Sequence, residues 1–274
     1  MRRFPGGVHS PLPAADLSPL SRRDRVVISI CLVLIVALAW AYLVRLDRQM
    51  SSSMDYDMKM AAMGMTMDRP WAAADVFYTF AMWAVMMVAM MAGSAAPVLL
   101  LFAAMQSSRR ERGSRFAVPM FGIGYLMVWV GFSAFAALAH WALHAAALLS
   151  PAMVASSSML GGGILVAAGA YQLTPLKGSC LRQCRSPLGF LVSNWRGGAR
   201  GALQMGLRHG VHCLGCCWAL MCVLFVVGVM NLAWVAALTV FVLVEKIGPA
   251  GLVVARIAGA AMIVAGVLFV TGLP

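Results

Sequence analysis

An all-α, polytopic membrane bundle is what three features of this sequence predict. Hydrophobic residues make up 62% of the 274 positions and charged residues only 11%, where a soluble domain carries about 25% charge. The apolar residues fall into runs near the roughly 20 residues that one membrane-crossing helix requires. The formal charge of +12 sits in short clusters between those runs, the mark of positive-inside topology rather than of a basic face that binds nucleic acid.

Seven segments follow in order: Val26 to Val44, Asp75 to Met105, Ala117 to Leu143, Met159 to Pro175, His209 to Met230, Leu232 to Val244 and Leu252 to Leu273. The sixth is short and reads as a partial or tilted crossing. With the N-terminus inside and the C-terminus outside, 17 of the 21 Lys and Arg residues fall on the inner side. Arg45, Arg48, Lys59 and Arg69 alone fall outside. The first run follows a long basic flank and contains bulky Trp40 and Tyr42, so it reads as an uncleaved anchor rather than a signal peptide. The expected organisation is therefore a disordered basic tail over 1–25 and a single membrane domain over 26–274. That domain carries a Met-rich external loop at 45–74 and a basic, Cys-containing inner loop at 176–208. Gly93, Ser94 and Pro97 in the long second segment predict a kink or break. Gly161, Gly162 and Gly163, opening the fourth, predict close helix packing.

Sulfur is the unusual element, with 22 Met and 7 Cys. The outer segment holds Met50, Met54, Met58, Met60, Met63, Met65 and Met67 among acidic residues. A loop has no core to fill, and thioethers are neutral soft ligands that select Cu(I), which makes metal capture the expectation there. A drifted, low-complexity tether is the simpler alternative. On the second segment Met82, Met86 and Met90 recur every four residues, with Met87 and Met91 beside them. They form one row on a helix that serves equally as core filler.

The strongest group opens the fifth segment. His209, His212, Cys213, Cys216 and Cys217 are spaced to share or border one helix face. Cys180 and Cys184 precede them on the same side of the membrane. Two short-spaced thiol groups there suit a soft metal, although the spacing matches no zinc-finger pattern. Cys31 and Cys222 read as ordinary buried thiols. His140 and His144 are spaced for one face near the outer boundary, as interfacial residues or as ligands of a metal or haem. Glu245, beside Lys246, reads as a local ion pair or helix-end anchor rather than a proton relay.

The segments Met82 to Met91, Tyr171 to Lys177, Cys180 to Gly189, Cys213 to Trp218 and Gly228 to Trp234 together resemble a bacterial family of predicted metal-binding integral membrane proteins, domain of unknown function 2182. The resemblance runs from about Trp71 to the C-terminus and implies metal binding. The chain departs from the family pattern at Gly93, where Pro is expected, and at His212, where an aromatic or small residue is usual.

Taken together, these features describe a bacterial inner-membrane protein that binds, delivers or transports Cu(I) between the Met segment and the inner Cys/His cluster. Zinc is the alternative metal, and haem is not expected. The lipid bilayer, the metal ion, and a metallochaperone or membrane metalloenzyme are the expected partners. No phosphate-binding loop is present, so enzymatic activity is not expected and any movement of metal would be passive or partner-driven. One rival is a membrane dithiol oxidoreductase in which Cys180 and Cys184 exchange with Cys213, Cys216 or Cys217. The other is an assembly partner of a metalloenzyme. The orientation is directly testable: in a Cys-free background, an impermeant thiol reagent applied outside should label Lys59→Cys and miss Arg110→Cys. Labelling of Arg110→Cys would reverse the assignment.

Overall fold

The computed structural model describes residues 21–62, 72–109, 114–148 and 157–272. Within them the chain forms ten helices and no strand. They are α1 (Arg22–Ala62), α2 (Ala73–Arg109), α3 (Ser114–Ala145), α4 (Ser158–Gln172), α5 (Pro175–Arg185), α6 (Pro187–Asn194), α7 (Gly198–Cys222), α8 (Leu224–Val227), α9 (Leu232–Ile247) and α10 (Gly251–Thr271).

Five of these, in α1, α2, α3, α7–α8 and α10, are long and apolar enough to cross a membrane, and α4 with α5 makes a sixth if the bent pair is one span. That is fewer than the seven expected. The difference lies in α9, whose 16 residues rise only about 24 Å against a hydrocarbon core of about 30 Å. Large apolar side chains such as Val33, Leu38, Ile257 and Val264 are more than half exposed, as lipid-facing surfaces must be.

Several sequence expectations change at this level. α1 continues through Met50, Met54, Met58 and Met60, so this part of the Met-rich segment is helix rather than loop. Met, Lys, Gln and Arg are good helix formers, and no Gly or Pro interrupts them before Gly64. Met63, Met65 and Met67 lie outside the described residues. α2 runs unbroken past Gly93 and Pro97: a proline ring clashes with the carbonyl four residues back, and here that residue is Gly93, with no side chain to crowd the adjustment. The inner segment 176–208 is no loop either, since it holds α5, α6 and the first turns of α7.

The bend between α4 and α5, 63°, has a local cause. Pro175 at the first position of α5 pushes Thr174 to extended backbone, φ −71° and ψ 149°. The Thr174 hydroxyl then caps α5 by accepting from the Lys177 N–H at 3.3 Å. α5 therefore lies across the bundle, packed on α7 and α9, with Lys177 and Leu181 buried on its inner face.

The helix pairs α3–α7 and α4–α10 pack most intimately, and glycine permits both. On α4 and α10, Gly162 faces Gly266 and Gly169 faces Gly259. A Cβ at Gly162 would stand 2.6 Å from the Gly266 carbonyl oxygen, and one at Gly169 2.6 Å from that of Gly259. No methyl group fits between backbones at that approach. Gly163 has open space around it, so of the three consecutive glycines it is not needed for packing here. We expect Gly162→Leu or Gly266→Leu to destabilise the detergent-solubilised protein by about 1–3 kcal/mol through overpacking, read as a fall in melting temperature. Gly163→Ala should leave it nearly unchanged, and an equal response from all three would sink this account of the contact.

Candidate metal centre

The centre forms where five helices meet. α3 can lie on α7 because Gly206 and Gly210 present no side chain to it. A Cβ at Gly206 would run into the Phe121 carbonyl, and one at Gly210 would stand 3.2 Å from that of Tyr125. This close approach brings the Tyr125 hydroxyl to 3.1 Å from the Cys213 sulfur. α2 contributes Met91 and Ser94, α5 contributes Cys184, and α9 ends with Lys246.

The thiols are fully enclosed. Cys213, Cys216 and Cys217 are each 1% exposed and Met91 is 0%, which leaves no room for bulk water among them. Cys216 and Cys217 both donate to the Cys213 carbonyl, at 3.0 and 2.9 Å. That fit follows from their spacing three and four residues along one helix. Cys184, half-buried on α5, packs against the same core that holds Cys213, Cys216 and Cys217. The Cys217 sulfur lies 4.0 Å from the Met91 sulfur.

Among these groups sits an ammonium. Lys246 Nζ lies 2.9 Å from the Cys213 sulfur, 3.2 Å from the Ser94 hydroxyl and 3.9 Å from the Met91 sulfur. Its neighbour Glu245 is turned away: the carboxylate receives Lys177 at 2.8 and 2.9 Å in an ion pair of which each side chain is 1% exposed. Successive helical residues point about 100° apart, so α9 sends its acid to α5 and its base to the sulfurs. The cation beside the thiols is thus Lys246. A positive charge there compensates a thiolate, the form that binds metal.

The donors suit a soft metal. Two sulfurs sharing a metal at about 2.3 Å each stand about 3.8 to 4.6 Å apart, and the Cys217–Met91 separation falls in that range. Among the described residues, no three His, Cys, Asp or Glu side chains are placed to hold a metal ion; Cys216 and Cys217 are turned to a backbone carbonyl.

The predicted residues divide clearly. Cys184, Cys213, Cys216 and Cys217 come together. Cys180 flanks them, packed where a Cβ on Gly215 would stand 2.8 Å from its sulfur. His209 is buried outside the thiol group, among the rings of Phe121, Tyr125 and Phe190. His212 is directed to the Arg208 carbonyl at 2.7 Å. Met82, Met86 and Met90 are buried in the same apolar core as the thiols, but the methionine that touches the cluster is Met91. His140 is buried against Phe225 and His144, one turn on, is exposed. All seven cysteines are free thiols, and of the two expected to be buried Cys31 is exposed and Cys222 half-buried. The sequence reading gave Met91, Ser94 and Lys246 other roles and did not single out Tyr125. A lysine so close to apolar segments on either side was the available signal for Lys246.

The profile of the copper chaperone family PpoB2 matches residues 80–269, well over half of the chain. No curated protein and no solved structure matches it. The matched stretch contains every member of the cluster, from Met91 to Lys246, and leaves out α1 with its Met-rich extension. The match supports the metal in the resemblance drawn from the motifs, as copper, without bearing on the particular family named there. By this match over most of its length, the chain belongs to the PpoB2 copper chaperone family.

Proposed function

We propose that this protein binds Cu(I) at Cys184, Cys213, Cys216, Cys217 and Met91 and hands it to a partner rather than acting on it chemically. The observation that carries the reading is the convergence of four thiols and one thioether, from three helices, around a single buried cation. Soft sulfur donors select Cu(I), and a water-free pocket protects that oxidation state. Lys246 holds the place of the cargo's charge, so the pocket is not left as bare thiolates when empty.

In this reading Met82, Met86, Met87 and Met90 line the approach to Met91 within α2. Met54, Met58, Met60, Met63, Met65 and Met67 gather the ion beyond the bundle, and Cys180 stands beside the entrance from α5. The bacterial inner membrane is the proposed location, with the Arg-rich end facing the cytoplasm and zinc as a competing ion.

Two measurements test the centre. The double variant Cys213→Ser/Cys216→Ser should lose most of its Cu(I) in the purified protein, whereas Cys31→Ser and Cys222→Ser should keep it. Full occupancy in the double variant would put the site elsewhere. A Cys–Cys bond under mild oxidant, in protein that never holds metal, would favour dithiol exchange instead. Tyr125→Phe removes only the hydroxyl that bridges Cys213 and the Met91 carbonyl, so affinity should drop by about tenfold, as for other groups that orient metal ligands.

For the outer methionines, exchange of Met54, Met58, Met60, Met63, Met65 and Met67 for Leu keeps size and removes the sulfur. Fewer Ag(I) ions should then bind per protein while one ion remains at the Cys centre. An unchanged stoichiometry would make the segment a tether.

A further inference from the structure

Four buried donors of α7 lie on one strip of that helix: Met205, His209, Cys213 and Cys216. Their spacings of four, four and three residues keep them within about 80° of one another, and each four-residue step rises about 6 Å. Two of them belong to the thiol cluster. The other two lead away from it, toward the arginine-rich start of the helix. There Met205, itself 1% exposed, forms the floor of a cleft lined by Asn194, Arg196, Gln204 and Arg208.

His209 is the anomaly on this strip. It is 3% exposed, and its Nδ1 is buried without a hydrogen-bond partner. An unsatisfied buried ring nitrogen costs free energy that a purely structural residue would avoid. An aromatic side chain would fill the space among Phe121, Tyr125 and Phe190 without that cost. Imidazole nitrogen is, however, a good copper ligand, and the surrounding ring faces favour a cation.

We propose that His209 and Met205 form a second, transient Cu(I) site that passes the ion between the thiol cluster and the Arg-lined cleft. This rests on the cluster being the copper centre. The step is ligand exchange without redox change. The bond from Cu(I) to the Cys213 sulfur breaks as one to the His209 imidazole forms, and Met205 then takes the ion at the cleft floor. The thiolate left behind is compensated by the Lys246 ammonium, already 2.9 Å away. Donor strength falls along the path, from thiolates to imidazole to a single thioether. The ion therefore leaves only when an acceptor with stronger sulfur ligands draws it. Arg196 and Arg208 at the rim suit an acceptor with an acidic surface.

The test uses full-length protein in detergent, loaded with one equivalent of Cu(I) and mixed with the water-soluble Cu(I) chelator bicinchoninate. His209→Phe keeps an aromatic ring among its neighbours and removes the donor; Met205→Leu is nearly isosteric. Each should slow release at least about tenfold, and His209→Met, which restores a soft donor, should recover most of the rate. Release at the wild-type rate from both Phe and Leu variants overturns the relay and leaves the cluster intact. So does a His209→Met protein as slow as His209→Phe, which would mean that only ring packing matters. Loss of the initial copper load in His209→Phe places His209 in the cluster itself and also overturns it. If the wild-type protein holds no Cu(I), the copper centre falls first and the relay with it.

Discussion

Moving an ammonium out of water costs several kcal/mol even after a protein relaxes around it, and Lys246 is 6% exposed near the end of an apolar helix. Its position is tolerable only because α2 brings a hydroxyl and a thioether to it, from Ser94 and Met91, and α7 brings the Cys213 thiol. Much of the surrounding architecture follows from that requirement. α3 must lie on α7 closely enough to deliver Tyr125, which demands Gly206 and Gly210. α5 must turn across the bundle, which Thr174 and Pro175 arrange, so that Cys184 completes the ring of sulfurs and Lys177 occupies Glu245. Without that second ion pair, the carboxylate next to Lys246 in sequence would compete with sulfur for its charge.

The pairing also explains how so many soft donors can stand together in an apolar core. Several thiolates pressed together would repel one another, and several neutral thiols would bind poorly. A flexible four-carbon side chain that brings one positive charge among them addresses both difficulties. It can also withdraw, since a lysine head group is a compact charge on a mobile stem.

How much of this was legible beforehand depended on whether the information was local. Cys213, Cys216 and Cys217 share a face by helical spacing alone, and that periodicity survives into the structure. The all-helical class followed from composition and from run length. Met91 was not separable from Met82, Met86 and Met90, because an unbroken methionine row on one helix does not say which member faces a distant partner. The division of labour between Glu245 and Lys246 was hidden for the same reason, since adjacent residues on a helix serve different neighbours and only tertiary packing names them. The shortness of α9 was visible in run length, since its segment read as a partial or tilted crossing, whereas the helical continuation of α1 was missed because its polar composition read as a loop. His209 shares a face with Cys213 as its spacing predicts, and only tertiary packing reveals the rings of Phe121, Tyr125 and Phe190 around it.

Arg185 contributes a different kind of connection. From the end of α5 its guanidinium reaches the carbonyls of Glu245 and Gly248 at 2.7 and 2.6 Å, and that of Pro249 at 3.2 Å. These three carbonyls belong to the last turn of α9 and to the link that joins it to α10. Cys184 precedes Arg185 by one residue, and Lys246 lies inside the stretch that Arg185 grips. The segment that supplies a thiol and the segment that supplies the competing cation are thus fastened together like two arms of one hinge. A shift of α5 would therefore move Cys184 and the base of Lys246 together.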